Sequence, residues 1–319
     1  MKDYDISVIM PSYNSEKTIG SAIDSILNQE TEYNFEILII DDGSSDKTID
    51  IVKRRMAVND NIRLFFQEHK FQAEARNKGI KNSNSKYIMF SDDDDLYKPD
   101  FIENMGKSIQ TKKLVIAGIE KRFSDNHIEI EDHSILETAQ DDSQLIGNYL
   151  TKNQEMDVGL WNKIFVKKVI DDNEIKMSNE NFFEDSLFVL QYLMSININE
   201  IFYIHKPMYI LNKHRGSTTN SYDSNLLNKC NKYINEVENV LKSNQNLNKY
   251  ADSFRARIYL FYVHRSILND KLWNKQKQKH ILKTCLSFST FKYLNYKYNL
   301  AILMAYFFPN TYIRLYSKK

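Results

Sequence analysis

The sequence predicts an α/β fold with a largely parallel sheet, followed by a helical C-terminal domain. Over the first hundred residues, apolar runs of strand length alternate with segments of helical period. Past residue 222 the pattern is helical, with Asn, Lys and Tyr on the polar faces. Four consecutive carboxylates, Asp92-Asp93-Asp94-Asp95, close one apolar run. Ligands of open α/β sheets bind beyond the carboxyl ends of the strands, so such a cluster marks the expected site.

The first strand is Ile6-Ser7-Val8-Ile9-Met10. Residues 15–28 follow as a helix, with apolar positions at 19, 22, 23, 26 and 27. Phe35-Glu36-Ile37-Leu38-Ile39-Ile40 is nearly continuous in apolar character, as a strand buried on both faces requires. Asp41-Asp42-Gly43-Ser44-Ser45-Asp46 makes a turn, with Ser45 or Asp46 expected to cap a helix reaching about Ala57. A strand over 61–66, a helix over 71–82 and a strand over 86–91 complete a β-α-β-α-β-α-β order. Pro11-Ser12-Tyr13, Asp41-Asp42 and Asp92 to Asp95 then meet on one sheet edge. From 98 to about 222 the expected pattern is α+β. It has strands near 113–119 and 160–166, a polar excursion over 120–137 and a helix over 184–194. An extended stretch over 201–210 is expected to break at Pro207.

Composition narrows the function. Only Cys230 and Cys285 are present, far apart and outside any CxxC or His-rich cluster, which argues against structural zinc and a disulfide framework. No apolar run approaches the roughly 20 residues that span a bilayer, and the start carries no secretory signal pattern. A cytoplasmic protein is expected. The net charge of +1 conceals an asymmetry. Residues 1–221 hold 26 Lys/Arg against 37 Asp/Glu, and residues 222–319 hold 17 against 5. Two domains, 1–221 and 222–319, are expected to do different work.

Four like charges in a row oppose folding unless something compensates them. Mg²⁺ and Mn²⁺ take oxygen ligands, and Mg²⁺ commonly combines one or two carboxylates with substrate phosphates. The run therefore suggests a metal-diphosphate site. Its plain alternative is a polar strand-to-helix loop in which Asp95 or Asp100 caps the next helix. No GxGxxG follows the first strand and no GxxxxGK[ST] occurs, which weakens the common dinucleotide and P-loop readings.

Four blocks carry a resemblance: Val8-Ile9-Met10-Pro11-Ser12-Tyr13-Asn14, then Ile39-Ile40-Asp41-Asp42-Gly43-Ser44-Ser45-Asp46, then Ala75-Arg76-Asn77-Lys78-Gly79-Ile80, then Tyr87-Ile88-Met89-Phe90-Ser91-Asp92-Asp93-Asp94-Asp95. In this order and spacing the chain resembles the family 2 glycosyltransferases of bacterial surface-polysaccharide and teichoic-acid type. It does so strongly over about 5–110 and more weakly to about 220. The resemblance implies a GT-A fold, a nucleotide-binding mixed sheet flanked by helices. It implies that Pro11 and Tyr13 hold the nucleotide, with Asp42, rather than Asp41, accepting from the uracil or ribose. The family's DXD motif falls on Asp92-Asp93-Asp94, with Asp94 and Asp92 at Mn²⁺ or Mg²⁺ and Asp92 and Asp93 beside the donor. Asn77, with Arg76, lies on a helix near the nucleotide edge. An acidic pair in relatives matches Glu184-Asp185, which makes Asp185 the catalytic base of an inverting transfer. Relatives commonly read Tyr-x-x-Arg before a Gly-Ser. Here Tyr209 is followed by Asn212 in place of the Arg, with His214 or Arg215 as a substitute cation. Ser217 keeps its place near the diphosphate. Trp161-Asn162-Lys163 also matches a recurrent segment, as acceptor lining or as core.

The implied activity is metal-dependent transfer from a nucleotide sugar, most simply a UDP-sugar. The acceptor would be a hydroxyl of a surface glycan, a teichoic-acid-like polymer or a lipid-linked precursor. A sugar nucleotidyltransferase is the rival enzyme, but the loop after the first strand lacks its Gly-rich, basic character. A catalytically silent binding module is the other rival, and the carboxylates at 92, 94 and 185 argue against it. The C-terminal third is either a plain helical bundle or a surface for anionic membrane, an anionic polymer or a second copy. No motif supports nucleic-acid binding.

Overall fold

The computed structural model describes residues 4–178, 181–213, 223 and 225–317. The chain divides into two compact units, residues 1–138 with 154–214, and residues 139–153 with 215–319.

Among the described residues the first unit is built on nine strands: β1 (Ile6–Ser12), β2 (Phe35–Asp41), β3 (Ile62–Phe66), β4 (Tyr87–Phe90), β5 (Leu96–Tyr97), β6 (Leu114–Phe123), β7 (Ile128–Glu131), β8 (Lys163–Val166) and β9 (Ile201–Lys213). They form one mixed sheet in the order β3-β2-β1-β4-β8-β6-β9-β5, with β7 paired to β6. The first four strands are parallel; β8 runs antiparallel to β4 and β6, and β6 runs parallel to β9. Every residue of β1 and β4 is buried, as their apolar runs require. Between the strands lie α1 (Ile19–Leu27), α2 (Thr48–Met56), α3 (Phe71–Asn82) and α4 (Phe101–Ile109). Helix α3 lies close on β1: a methyl group at Gly79 would sit 2.4 Å from Ile9 Cγ2. That approach fixes the α3 residues that face the strand ends.

Several details depart from the sequence expectations. Helix α2 starts at Thr48 with Lys47 at the cap position. Asp46 still serves its first turn, accepting from the Thr48 amide at 2.9 Å. Asp100 occupies the cap position of α4 but makes no capping bond. The excursion expected over 120–137 contains the end of β6 and all of β7, a hairpin. β9 runs through Pro207 unbroken. The register shifts there beside Gly118, whose missing side chain lets Lys206 O and Asp132 approach to 2.9 Å of a would-be Cβ.

The second unit is helical: α5 (Asp142–Lys152), then, past three short helices of the first unit, α9 (Leu226–Leu241), α10 (Ala251–Asn269), α11 (Lys275–Lys283), α12 (Phe288–Tyr293), α13 (Tyr296–Phe307) and α14 (Pro309–Tyr316). Those three are α6 (Glu155–Val158), α7 (Lys167–Asp172) and α8 (Glu184–Leu193). One apolar core joins Ala256, Leu260 and Val263 of α10 to Leu282 of α11 and to Ile302 and Ala305 of α13. Cys230 and Cys285 are buried and unpaired, and burial pushes their thiols up to about 12 and about 11, so both are inert packing groups. Among the described residues no helix is long and apolar enough to cross a membrane.

Candidate functional site

Parallel pairing brings three loops to one edge. Ser12 pairs with Asp41 and Ile9 with Phe90, so β1, β2 and β4 all release their chains on the same side. Pro11 is buried in β1 opposite Ile40. Tyr13 follows, half exposed, and its amide donates to Asp93 Oδ2 at 3.2 Å. The first two loops are laced together, with Asn14 N donating to Ser44 Oγ at 2.9 Å and Ser45 N to Asn14 Oδ1 at 2.8 Å. Asn14 and Gly43 have positive φ, at 49° and 84°, as do Phe71 at 68° and Phe183 at 55°. Strained backbone of this kind gathers at functional loops.

The two aspartates after β2 play different parts. Asp41 Oδ2 accepts from the Gly43 and Ser44 amides, while its Oδ1 is buried without a partner. Asp42 is saturated by the segment leading into α3. Oδ1 accepts from Gln67 Nε2 and Lys70 N, both at 2.7 Å, and Oδ2 from Phe71 N at 2.8 Å. His69 Nδ1 stands 2.8 Å from Asp42 Oδ2, and the imidazole stacks on the Tyr13 ring with centroids 4.3 Å apart. Nothing in the sequence pattern signals His69, which sits outside every motif block.

The carboxylate run is held from two sides. Arg76, buried on α3, donates to Asp92 Oδ1 at 2.7 Å and to Glu184 Oε1 at 3.2 Å. Burial works against its charge, but Asp92 and Glu184 outweigh it and hold the guanidinium above its ordinary range. Gln72 donates to the same Glu184 oxygen at 2.7 Å. From β9, Tyr209 Oη donates to Asp95 Oδ2 at 2.9 Å and accepts from Asp92 N at 3.2 Å. Asn212, the residue that stands in place of the expected Arg, donates its amide N–H to Asp95 Oδ1 at 2.7 Å and its side chain to Asp94 O at 2.6 Å. Its role here is to staple the carboxylate loop to β9. His214, Arg215 and Ser217 lie outside the described residues. Asn77 exchanges two bonds with the Met177 backbone, at 3.0 and 2.9 Å, and so shapes the segment before α8.

Crowding of like charge is visible in the acidities. Burial, with Asp94 and Asp92 adding to it, pushes Asp93 up to about 7. Burial and the same neighbours hold Asp95 well above the carboxylate range. A site of this kind gains from a cation. The donor set is all oxygen, which suits Mg²⁺ or Mn²⁺. Among the described residues no three His, Cys, Asp or Glu side chains converge to hold an ion by themselves. One or two carboxylates completed by substrate phosphates are the usual Mg²⁺ arrangement, so the residues present fit an ion that arrives with a diphosphate.

The second acidic position opens α8. Phe183, in the left-handed region, turns the chain so that Glu184 is buried against Arg76 and Asp185 follows it. Asp185 Oδ1 accepts from Ser186 N at 2.6 Å. Burial first, then the Glu184 charge, pushes Asp185 up to about 7 against the pull of Arg76. Arg76 thus ties the Asp92 loop to the helix bearing Asp185, a link the sequence motifs did not specify. Nearby, Lys163 is fully buried, with Nζ donating to Met156 O, Gly159 O and Asn162 Oδ1 at 2.5–2.9 Å. Burial pushes it down to about 7. Trp161 stacks on Tyr209 at 4.9 Å, which makes it a support for the carboxylate loop.

Tyr209→Phe is expected to strand Asp95 Oδ2 and the Asp92 amide. Leaving buried polar groups unpaired costs about 1–3 kcal/mol. The thermal midpoint should fall by several degrees, which a melting curve measured beside the wild type checks.

A family model described as glycosyl transferase family 2 matches residues 7–173, more than half of the chain. The chain belongs to glycosyl transferase family 2. Its similarity to the glycosyltransferase GlyA of Streptococcus pneumoniae is 27% identity over 228 residues, covering 67% of this chain and 31% of that longer protein. To the cholesterol galactosyltransferase of Borreliella burgdorferi it is 25% over 271 residues, covering 81% of this chain and 74% of that protein. Among solved structures, residues 1–349 of TarS of S. aureus in complex with UDP-GlcNAc match with a TM-score of 0.69 and 18% identity, covering 98% of this chain and 90% of that one. The structural likeness shows the GT-A fold expected from the four motif blocks.

Proposed function

We propose that this family 2 glycosyltransferase moves a sugar, with inversion, from a UDP-sugar to a hydroxyl of a surface glycan, a teichoic-acid-like polymer or its lipid-linked precursor. The observation that carries the proposal is the Asp92–Arg76–Glu184 link, which builds the donor edge and the Asp185 helix as one unit. TarS, the structural neighbour, is described in complex with UDP-GlcNAc, which supports a UDP-sugar as donor. Catalysis is assigned to the part within 1–221, and residues 222–319 to a separate basic module.

In this reading Pro11, Tyr13 and Asp42 hold the nucleoside, Asp92 and Asp93 line the donor, and Asn77 supports that edge. Ser217 is assigned to the diphosphate. Asp94 and Asp92 hold Mn²⁺ or Mg²⁺, which supplies positive charge to the departing diphosphate when bound. Asp185 takes the acceptor proton as the hydroxyl oxygen attacks the anomeric carbon. The bond to the diphosphate oxygen breaks as the new glycosidic bond forms, so no covalent enzyme intermediate is needed. Isothermal titration with UDP-GlcNAc, UDP-glucose, UDP-galactose and GDP-mannose tests the donor assignment. Preference for one UDP-sugar supports it, and selective binding of GDP-mannose contradicts it.

His69 stands on the Tyr13 ring and the Asp42 carboxylate, the groups assigned to the uracil or ribose. The donor must therefore displace it. His69 Nδ1 also meets the Asp42 backbone O at 3.2 Å, and a hydrogen bond of that kind is worth about 0.5–1.5 kcal/mol net, so His69→Ala is expected to lower donor KM by about twofold to tenfold, with kcat unchanged. A rise in KM would mean that the imidazole grips the donor instead.

A further inference from the structure

The strongest surface feature outside the site lies in the second unit. From 271 to 319 the sequence carries ten Lys or Arg and no Asp or Glu. Helix α13 turns Ile302 and Ala305 into the core. On its outer face it leaves Tyr296 (75% exposed), Leu300 (56%), Leu303 (38%) and Phe307 (59%). Those positions follow a 4-3-4 spacing, so they form one stripe. Phe308, between α13 and α14, and Leu315 of α14 are exposed as well. The basic helix α11 flanks the stripe: Lys279 lies over the ring of Tyr306, 5.6 Å from its centroid, next to Phe307. Lys275, Lys277 and Lys283 of α11 are exposed as well.

We propose that this face docks on an anionic lipid surface, with the α13 stripe in the acyl-headgroup boundary and the α11 lysines among the headgroups. An exposed apolar stripe beside lysines is the pattern of an interfacial helix. Charge complementarity selects the occupant. Lys277 is paired with Asp270 at 3.4 Å, but residues 271–319 hold no carboxylate for the other lysines, so a second copy of the same face would set those cations against their own kind. A bilayer rich in acidic lipid supplies both the apolar depth and the negative charge. The proposal goes beyond the donor reading and does not depend on it.

Vesicle flotation of the full chain is the test, using phosphatidylcholine vesicles with and without phosphatidylglycerol. Binding is expected only with phosphatidylglycerol, and it should weaken with salt. Leu303→Glu with Phe307→Glu should lower binding at least about tenfold. Lys275→Gln with Lys283→Gln should lower it roughly fivefold per lysine. All of these side chains are exposed and remote in sequence from the donor loops, so UDP release in solution is expected to stay unchanged in both variants. Failure of the membrane proposal is thereby distinguishable from failure of the enzymatic one. The proposal is overturned if the wild type ignores acidic vesicles, or if the Glu pair binds them as well as the wild type. It is equally overturned if sedimentation shows that the Glu pair breaks a dimer while vesicles are ignored, which would assign the face to a second copy.

Discussion

Asp185→Asn is expected to lower kcat by about 10²–10⁴-fold, the usual worth of a positioned general base. Donor KM should change by less than about threefold, because the substitution removes a proton acceptor and keeps shape. The amide retains the bond from Ser186 N, and Glu184 and Arg76 remain paired, so the fold has no cause to yield. The same residue sets a pH profile. Burial and Glu184 push Asp185 up to about 7, so it is protonated below that pH and idle as a base. Turnover should climb as pH rises toward 7 and level off above it; Asp93 is pushed up to about 7 as well, so the part of the limb that the Asn variant loses is the part that reports Asp185. Steady-state rates across pH for both proteins check this. A flat profile in the wild type would remove Asp185 from the proton transfer.

The second large effect is expected at Asp94. Asp94→Ala should lower metal-supported turnover on the order of 10³-fold, since charge stabilisation of a departing diphosphate is worth several kcal/mol. The backbone of this loop is held independently of the carboxylate: Asp94 O accepts from Asn212, and Asp95 is anchored by Tyr209 and by the Asn212 amide. The variant should therefore fold and still bind free UDP in the absence of metal. Loss of a metal-induced gain in UDP affinity, read by titration with and without Mn²⁺, separates this role from a structural one. An unchanged gain would place the ion elsewhere.

Much of this site was legible in the sequence because parallel strands leave their signature locally. Apolar runs at 6–10, 35–40 and 87–90 each end in polar residues, and the sheet rule then gathers Tyr13, Asp41-Asp42 and Asp92 to Asp95 on one edge. Helix α3 was expected over 71–82 and spans Phe71–Asn82. What stayed hidden depends on contacts distant in sequence. Asp42 and His69 are tied across 27 residues, and Arg76 and Glu184 across 108, and neither pairing leaves a local pattern. Strand β5 has two residues, too few for a period, and exists because Leu96 and Tyr97 pair with β9. Helix α5 is mixed in polarity. It is held within the second unit, where a Cβ at Gly147 would collide with Tyr250. Pro207 was expected to break the extended stretch over 201–210; the register shift beside Gly118 absorbs it. Asn212 read as a lost cation, but the geometry gives it a different task, fastening the loop that carries Asp94 and Asp95.

The central claim is that the carboxylate edge and Asp185 together turn over a nucleotide sugar with a divalent ion. It is tested most directly by nucleoside diphosphate release from a panel of nucleotide sugars with Mn²⁺, Mg²⁺ or EDTA, comparing the wild type with Asp94→Ala and Asp185→Asn. Slow release of UDP from one UDP-sugar is the predicted result, supported by either ion and abolished by EDTA and by Asp94→Ala. Release that proceeds equally in EDTA, or that survives both substitutions, would contradict it.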